Sequence, residues 1–307
     1  MPQATRDIKR RIKSVASTRK VTKAMEMVAA AKMRRAVTNI LATRSYSTLA
    51  WGLVRNLAVK TESNYHPLLE KRLIIKKVGL VLVTSNRGLC GGFNTQIIQR
   101  TINYVRNQKE TKGAEVVIVT LGKRGRDFII KRNFNIIAEF EKLDITTDIT
   151  EIRPLAKLLI EDFIAGKLDQ VAIAYTDFIS TLIQKPRILE LLPIIREREE
   201  EDLGKVEKAE TKNQKLEETL INYEYLFEPS PAEVLNELLP RLLEMQIYQA
   251  ILESDASEHS ARMVAMSNAS EAASEMIDDL TLIFNKARQA SITAELADIC
   301  GGRIAME

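Results

Sequence analysis

The sequence predicts an α/β protein in which two very long terminal helices flank a central, mainly parallel sheet. Residues 3–51 and 241–300 contain no glycine and no proline, although the 307-residue chain holds twelve glycines and eight prolines. Inside a helix proline costs about 3 kcal/mol and glycine about 1 kcal/mol relative to alanine, so both stretches can form unbroken helices. Between them, short apolar runs alternate with amphipathic stretches, which is typical of strands that alternate with helices.

The N-terminal helix is predicted to span residues 1–62. Its apolar residues recur with steps of three and four, which is coiled-coil spacing, but the stripe changes face midway. The first part of the stripe is Ile8, Ile12 and Val15, and the second is Val21, Ala24, Val28 and Ala31. We therefore expect a partner helix along this face and a break in register between the two parts.

The same segment is strongly basic, although the net charge of the whole chain is only +4. Within the first 35 residues Asp7 and Glu26 are the acidic side chains, and the cations are Arg6, Lys9, Arg10, Arg11, Lys13, Arg19, Lys20, Lys23, Lys32, Arg34 and Arg35. Such a surface can bind an acidic protein, nucleic acid or anionic lipid, or it can simply face water. Nucleic acid is the least favoured of these, because the cations are interleaved with the apolar stripe rather than placed ahead of it.

The central domain is predicted at residues 74–196. Strands are expected at 78–83, 116–121, 171–175 and 188–194, and helices at 94–108, 127–132 and 152–165. Because strands alternate with helices, the sheet should be mainly parallel and covered by helices.

Two further segments follow the central domain. Residues 197–222 consist mostly of Glu, Lys and Arg, and we expect a solvated excursion there. A C-terminal helix is predicted at 223–307. Its seam has steps of three and four without exception, over Met263, Met266, Ser270, Ala273, Ile277, Leu280, Phe284, Ala287, Ser291 and Ala294. Small and flexible residues in this seam allow close approach. They suit either simple packing against a partner helix or a surface that slides against another partner.

One glycine-rich loop occupies the position of a phosphate-binding loop. Residues 87–94 follow a strand and open a helix, as such loops do in doubly wound domains. The glycine spacing matches neither the G-x-G-x-x-G fingerprint nor a P-loop, so a structural turn is the favoured interpretation.

The sequence offers little for catalysis or metal binding. His66 lies beside a proline, His259 is expected on a charged helical face, and no G-x-S-x-G elbow is present. Cys90 and Cys300 lack C-x-x-C spacing, which argues against a zinc site and favours a reducing compartment. We predict no catalytic residue, cofactor or metal ligand. The sequence contains no run of eighteen apolar residues, so no membrane-spanning helix is predicted.

Four segments of the sequence resemble the gamma subunit of F-type ATP synthases. They are residues 23–34, 87–94, 260–266 and 285–296, and they occur in the order of that family over nearly the whole chain. The resemblance implies that the terminal helices form a long antiparallel coiled coil and that the central domain is Rossmann-like.

The resemblance also implies a function without catalysis by this chain. A gamma subunit is the central rotor shaft, which couples proton translocation through the membrane sector to ATP synthesis or hydrolysis at the alpha and beta subunits by rotating. The implied partners are a hexamer of three alpha and three beta subunits, the epsilon subunit and the c ring, with one gamma copy per complex and no nucleic acid. The implied location is peripheral, on the cytoplasmic face of the bacterial plasma membrane.

The family's functional positions can be carried over onto matching residues. Those of the rotor-stator contact are Lys20, Lys23, Met25, Arg262, Arg288, Gln289, Thr293 and Glu295, and those of the foot that faces the c ring and epsilon are Tyr225, Phe227 and Glu228. Three departures stand out: Asn86 replaces an aspartate, Arg303 replaces a small residue, and the charged excursion is longer than is common in bacteria. The sequence leaves open the coupling ion, the direction in which the enzyme runs and the role of the excursion.

Overall fold

The computed structural model describes the backbone of residues 3–60, 66–72, 74–142, 148–194 and 231–304. Side chains are described over the same ranges except at 3–4, 44–60, 231–232, 298 and 301–304. The helices are α1 (Gln3–Lys60), α2 (Phe93–Lys112), α3 (Lys123–Lys131), α4 (Arg153–Ile164) and α5 (Pro231–Ile304). The strands are β1 (Lys77–Val83), β2 (Glu115–Leu121), β3 (Ile136–Phe140), β4 (Gln170–Phe178) and β5 (Gln184–Leu192).

The five strands form one mixed sheet in the order β3-β2-β1-β4-β5. Every neighbouring pair is parallel except β4 and β5, which are antiparallel. The predicted fold class, a mainly parallel α/β domain flanked by long terminal helices, is therefore confirmed.

Both faces of the sheet are buried, as expected for parallel strands with helices on each side. Successive side chains of a strand point to opposite faces, so β1 contributes Leu80 and Leu82 to one core and Val81 and Val83 to the other. The first core is closed by α2 and α3, and the second by α1, α4 and α5. A fully buried aliphatic side chain of this kind contributes about 1.5 to 3 kcal/mol.

The elements differ from the sequence-based expectations chiefly in three places. Strand β3 has no counterpart among the expected strands, because it is a five-residue edge strand whose side chains are only alternately covered. Helix α3 begins at Lys123 rather than 127, directly after Gly122. Helix α5 starts before the proline-free stretch and contains Pro240, so its buried leucines outweigh the cost of an internal proline.

The chain divides into two compact units. The first unit comprises residues 1–29 and 262–307, and the second comprises residues 30–261 with the whole sheet. In the first unit the predicted seam of α5 is confirmed except at its end, where Ala294 is exposed. Over residues 275–297 the half-buried side chains are all seam positions, namely Ile277, Leu280, Phe284, Ala287 and Ser291.

The prediction that the second part of the α1 stripe, Val21 to Ala31, faces a partner helix is wrong. Val21 and Val28 are each 56% exposed, and Ala24 and Ala31 are exposed as well. The covered positions of α1 instead follow a single row with alternating steps of three and four and no break in register. Arg19 occupies one position of this row but is exposed. In the first unit this row is Thr5, Ile8, Ile12, Val15, Thr22, Glu26 and Ala29, and in the second unit it is Met33, Ala36, Ile40 and Thr43.

Polar residues at covered positions explain the error. The Thr22 hydroxyl donates to the carbonyl oxygen of Arg19 at 3.0 Å, so it is satisfied within its own helix. Glu26 accepts from Lys23 Nζ with both carboxylate oxygens at 3.0 Å. A search for apolar residues alone passes over both positions, although their side chains can line a helix contact when their polar atoms are paired.

Gly122 provides a test of the fold. Its φ of 105° favours glycine, and an added Cβ would lie 2.3 Å from the carbonyl oxygen of Thr84. Gly122→Ala should therefore lower the free energy of unfolding by about 3 kcal/mol or more, measured by urea denaturation. Gly113 is the matched control, because its φ is 63° but no atom lies within 4 Å of an added Cβ. Gly113→Ala should cost only about 1 kcal/mol, and equal losses in the two variants would contradict the close approach.

Candidate functional site

All eight residues predicted for the rotor-stator contact lie in the first unit. On α1, Lys20 and Lys23 are exposed and Met25 is half-buried. Lys23 is paired with Glu26, whose side chain is only 19% exposed, so part of its charge is balanced within the helix. Lys20 extends the basic character of this surface.

The α5 members of this set are mostly exposed. Arg262 is half-buried, whereas Arg288, Gln289, Thr293 and Glu295 face solvent. The Thr293 hydroxyl donates to the Gln289 carbonyl oxygen at 3.0 Å, and the Ser291 hydroxyl donates to Glu295 Oε1 at 3.3 Å. Both bonds stay within one helix.

The two helices of the first unit contact each other through their covered faces. Arg19 NH1 donates to Ser274 Oγ at 3.4 Å, which links α1 to α5. In the second unit Thr43 Oγ1 donates to Gln249 Oε1 at 3.0 Å. Each of these bonds joins α1 to α5 within its own unit.

Large apolar side chains are exposed beside the predicted contact residues. On α1 these are Val21, Met27 and Val28, and on α5 they are Met276, Leu282, Ile283, Ile292, Leu296 and Ile299. Exposed apolar side chains in number are typical of a surface that a partner covers. The first unit therefore combines apolar and basic contact groups on its helices.

Hydrogen bonds between the Asn94 side chain and Ser85 stabilise the glycine loop at residues 87–94. The amide oxygen of Asn94 accepts from the Ser85 backbone N–H at 3.0 Å, and its Nδ2 donates to Ser85 Oγ at 2.7 Å. The backbone N–H of Phe93 donates to the Cys90 carbonyl oxygen. These bonds support the interpretation of the loop as a structural turn, because groups that would face a phosphate are used within the loop.

A cleft of about 380 Å³ lies near this loop, lined by Asn86, Lys123, Glu139, Phe140 and Glu141. Its two carboxylates oppose an anionic ligand, since like charges repel in a partly dehydrated site. The cleft therefore gives no support for a nucleotide phosphate.

Asn86, where the resemblance predicts an aspartate, acts as both donor and acceptor. Its Nδ2 donates to the Lys142 carbonyl oxygen at 2.5 Å, and its Oδ1 accepts from the Lys123 backbone N–H at 3.2 Å. An ionised aspartate cannot donate to a carbonyl, so the amide is the side chain that satisfies both neighbours.

Lys142 is buried and forms two ion pairs with α5. Its Nζ lies 2.8 Å from Asp255 Oδ1 and 2.7 Å from Glu258 Oε2, and its side chain is 2% exposed. Burial by itself would lower the pKa of Lys142, but the charges of Asp255 and Glu258 outweigh burial and raise it. The lysine is therefore held in its charged form, and it joins the segment after β3 to α5.

This polar interior is not evident from the sequence. All residues of α5 from Gln246 to Ser260 are buried, including His259 at 2% exposed, so the expectation of His259 on a charged helical face is wrong. His66, the other histidine, accepts from the Leu68 backbone N–H at 3.1 Å and begins a short 3-10 helix. The available signal is the loss of apolar periodicity over 253–260, where small Ser and Ala residues alternate with charges.

The foot residues Tyr225, Phe227 and Glu228 lie outside the described residues, as does the charged excursion at 197–222. In the described part of the chain no helix is long and apolar enough to cross a membrane. Within that same part, no group of three or more His, Cys, Asp and Glu side chains could hold a metal ion.

Comparisons with known proteins agree over the whole chain. The protein-family model described as ATP synthase matches residues 4–306. The ATP synthase gamma chain of Pelotomaculum thermopropionicum is 43% identical over 302 residues, covering 98% of this chain and 99% of the relative. That of Dehalococcoides mccartyi, strain BAV1, is 44% identical over 303 residues, covering 98% of each.

Solved structures share the fold. A chain of the Euglena gracilis mitochondrial ATP synthase, in an OSCP/F1/c-ring structure, has a TM-score of 0.64 and 20% identity, covering 99% of this chain and 94% of that one. A chain of the Tetrahymena thermophila central stalk and c ring has a TM-score of 0.58 and 22% identity, covering 81% and 99%. At these identities the likeness supports the fold alone.

Lys142 allows a direct test of the buried ion pairs. Lys142→Met should lower the free energy of unfolding by about 3 to 5 kcal/mol, because it leaves two buried carboxylates without their cation. The measurement is urea denaturation of the full chain. Lys157→Met is the matched control, since Lys157 is 76% exposed in its pair with Glu161, and it should change stability little. Similar small effects in both variants would show that the buried pairs are not stabilising.

Proposed function

Because the chain belongs to the ATP synthase gamma-chain family, we propose that it is the central rotor shaft of an F-type ATP synthase. In this role it couples proton translocation through the membrane sector to ATP synthesis or hydrolysis at the alpha and beta subunits by rotating. The observation that carries the proposal is the similarity to gamma chains over 98% of the sequence at 43% identity.

The partners follow from this role. One copy of the chain would enter a hexamer of three alpha and three beta subunits, and it would also bind the epsilon subunit and the c ring. The exposed apolar side chains and the cations of the first unit support a surface enclosed by partner subunits. Acidic groups of the stator are the complementary chemistry for Lys20 and Lys23.

Rotation can drive the catalytic sites only through unequal contacts. A shaft shifts the equilibrium of a site when its interaction free energy differs between the states of that site. Different side chains on different faces of α1 and α5 supply that inequality, because each turn presents another face to a given beta subunit. Arg262, Arg288 and Gln289 are the polar groups we assign to these contacts, together with Met25, Thr293 and Glu295.

The chain itself would perform no chemistry. ATP would be made at the alpha and beta subunits, and the gamma chain would need no cofactor or metal of its own. We assign Tyr225, Phe227 and Glu228 to the foot that contacts the c ring and epsilon. The complex would hold the chain at the cytoplasmic face of the bacterial plasma membrane, as a peripheral subunit.

The four sequence segments would divide the work. Residues 1–62 and 223–307 would form the shaft, residues 74–196 the domain above the c ring, and residues 197–222 a charged excursion. This division assigns contact with the hexamer to the terminal helices, and contact with epsilon to the central domain and to the foot residues at the start of 223–307.

Affinity purification of the tagged full-length chain from its cells tests the role. We expect recovery of one copy per three alpha and three beta subunits, with epsilon and the c ring present in mild detergent. Recovery as a stable homodimer, without alpha and beta subunits, would overturn the proposal.

Arg262 and Gln289 test the contact assignment. Arg262→Ala and Gln289→Ala should each lower proton-driven ATP synthesis severalfold, because contacts that differ between catalytic states are lost, while assembly is retained. The measurement is ATP synthesis in inverted membrane vesicles, normalised to the amount of assembled complex. Asn268 is the matched control, an exposed amide on the same helix outside the assigned set, and Asn268→Ala should leave synthesis unchanged. Normal synthesis in both test variants would contradict the assignment.

A further inference from the structure

A second group of charged side chains is buried where α5 crosses β4. Glu253 on α5 is 2% exposed and Asp177 on β4 is 5% exposed. Both lie in the second unit, and neither belongs to the predicted contact residues. Each of these two carboxyl groups acts on the pKa of the other.

In each carboxyl group one oxygen accepts a hydrogen bond, and the other oxygen has no donor. Gln249 Nε2 donates to Glu253 Oε1 at 2.8 Å, and Arg187 NH1 lies 3.5 Å from Asp177 Oδ2. Among the described residues no donor reaches Asp177 Oδ1 or Glu253 Oε2. Two buried carboxyl oxygens without a donor are costly unless one of the two groups carries a proton.

The charges around the pair cannot balance two carboxylates. The elements packed against it contribute Tyr175 on β4 and Lys185 and Arg187 on β5, while α1 contributes the uncharged Thr43. Lys185 acts on Asp177 only through its more distant charge, so Arg187 is the one cation in direct contact among the described residues. Burial, followed by the charges of Glu253 and Asp177, raises the pKa of Tyr175, so this phenol stays neutral.

The titration of the two carboxyl groups agrees with this geometry. Burial and the charge of Asp177 raise the pKa of Glu253 from 4.5 to about 8. Burial also raises the pKa of Asp177, although Arg187 acts in the opposite direction. Close buried carboxyl groups of like charge do not ionise together, and the second is held protonated.

We propose that Asp177 and Glu253 share one proton at neutral pH and that this proton fastens α5 to β4. The protonated Glu253 donates its O–H to the Asp177 carboxylate, which keeps a single negative charge that Arg187 balances. The proposal concerns the attachment of α5 to the sheet and does not rest on the rotor role.

The shared proton completes a hydrogen-bond chain across three elements. Thr43 on α1 donates to Gln249, Gln249 donates to Glu253, and Glu253 donates to Asp177. Loss of the proton would leave two facing carboxylates in the interior, and it would remove the last bond of the chain. Alkaline pH should therefore loosen α5 from β4.

The direction of the pH dependence follows from the raised pKa of Glu253. Because the folded protein binds this proton more tightly than the unfolded chain does, the stabilising contribution is full below pH 4.5 and is lost as pH rises to about 8. A carboxylate stabilised by an ion pair would show the opposite trend.

Glu253→Gln tests the proposal, because glutamine resembles the protonated acid and does not titrate. The unfolding equilibrium constant of the full chain, measured in urea, should rise at least about tenfold more in the wild type than in Glu253→Gln between about pH 5 and about pH 8.5. Glu271→Gln is the matched control, an exposed glutamate on the same helix, and it should keep the wild-type pH dependence. Equal pH dependence in the wild type and Glu253→Gln would overturn the proposal.

Infrared spectroscopy of the folded wild type gives a second measurement that does not require a variant to fold. A C=O stretching band of a protonated carboxylic acid should persist at neutral pH and disappear near pH 9. Absence of that band at neutral pH would overturn the proposal. Where Glu253→Gln folds, it should lack the band, because the remaining Asp177 carboxylate lies beside Arg187. A band that persists in Glu253→Gln would assign the proton to another carboxyl group and overturn the proposal as well.

Discussion

The structure of the second unit depends on one constraint, the complete burial of the α5 segment from Gln246 to Ser260. A helix buried on all sides is usually apolar, yet this one carries four carboxyl or imidazole groups. Most of its polar groups have partners inside the protein, as buried polar groups generally do, whereas the Gln246 amide and the Ser254 hydroxyl have none among the described residues. Lys142 supplies the cation for Asp255 and Glu258, and Ser257 donates to the Thr176 carbonyl oxygen at 3.1 Å.

The partners of these buried polar groups fix the position of α5 against the sheet within the second unit. Apolar packing alone tolerates small shifts, whereas a buried ion pair loses several kcal/mol when one partner moves away. The Ser260 hydroxyl, which donates to the Thr181 carbonyl oxygen at 2.6 Å, adds a further fixed point at the turn between β4 and β5.

Most of the fold could be predicted from the sequence because it depends on local rules. The absence of Gly and Pro predicts the long helices, and buried apolar runs predict β1, β2 and β4. The edge strand β3 and the covered face of α1 could not be predicted in this way. Both depend on what packs against them, and on α1 the covered positions are occupied by residues such as Thr22 and Glu26 that sequence patterns assign to solvent. The candidate site follows from resemblance rather than from a physical pattern, because Lys20 or Arg288 cannot be told from any other exposed cation by spacing alone.

The burial of Glu253 and Asp255 could not be predicted from the sequence either, since charged side chains usually lie in water. Only the three-dimensional neighbours, a lysine in one case and a second carboxyl group in the other, reveal why they are inside.

The exposed valines and leucines of the first unit have a consequence for the biogenesis of the complex. Val21, Met27 and Leu282 would meet water in a chain that has not yet joined its partners, and that state favours aggregation. Synthesis in step with the partner subunits would shorten the time spent in it. The side chains that contact partners in the assembled complex would thus prevent the free chain from accumulating safely in the cell.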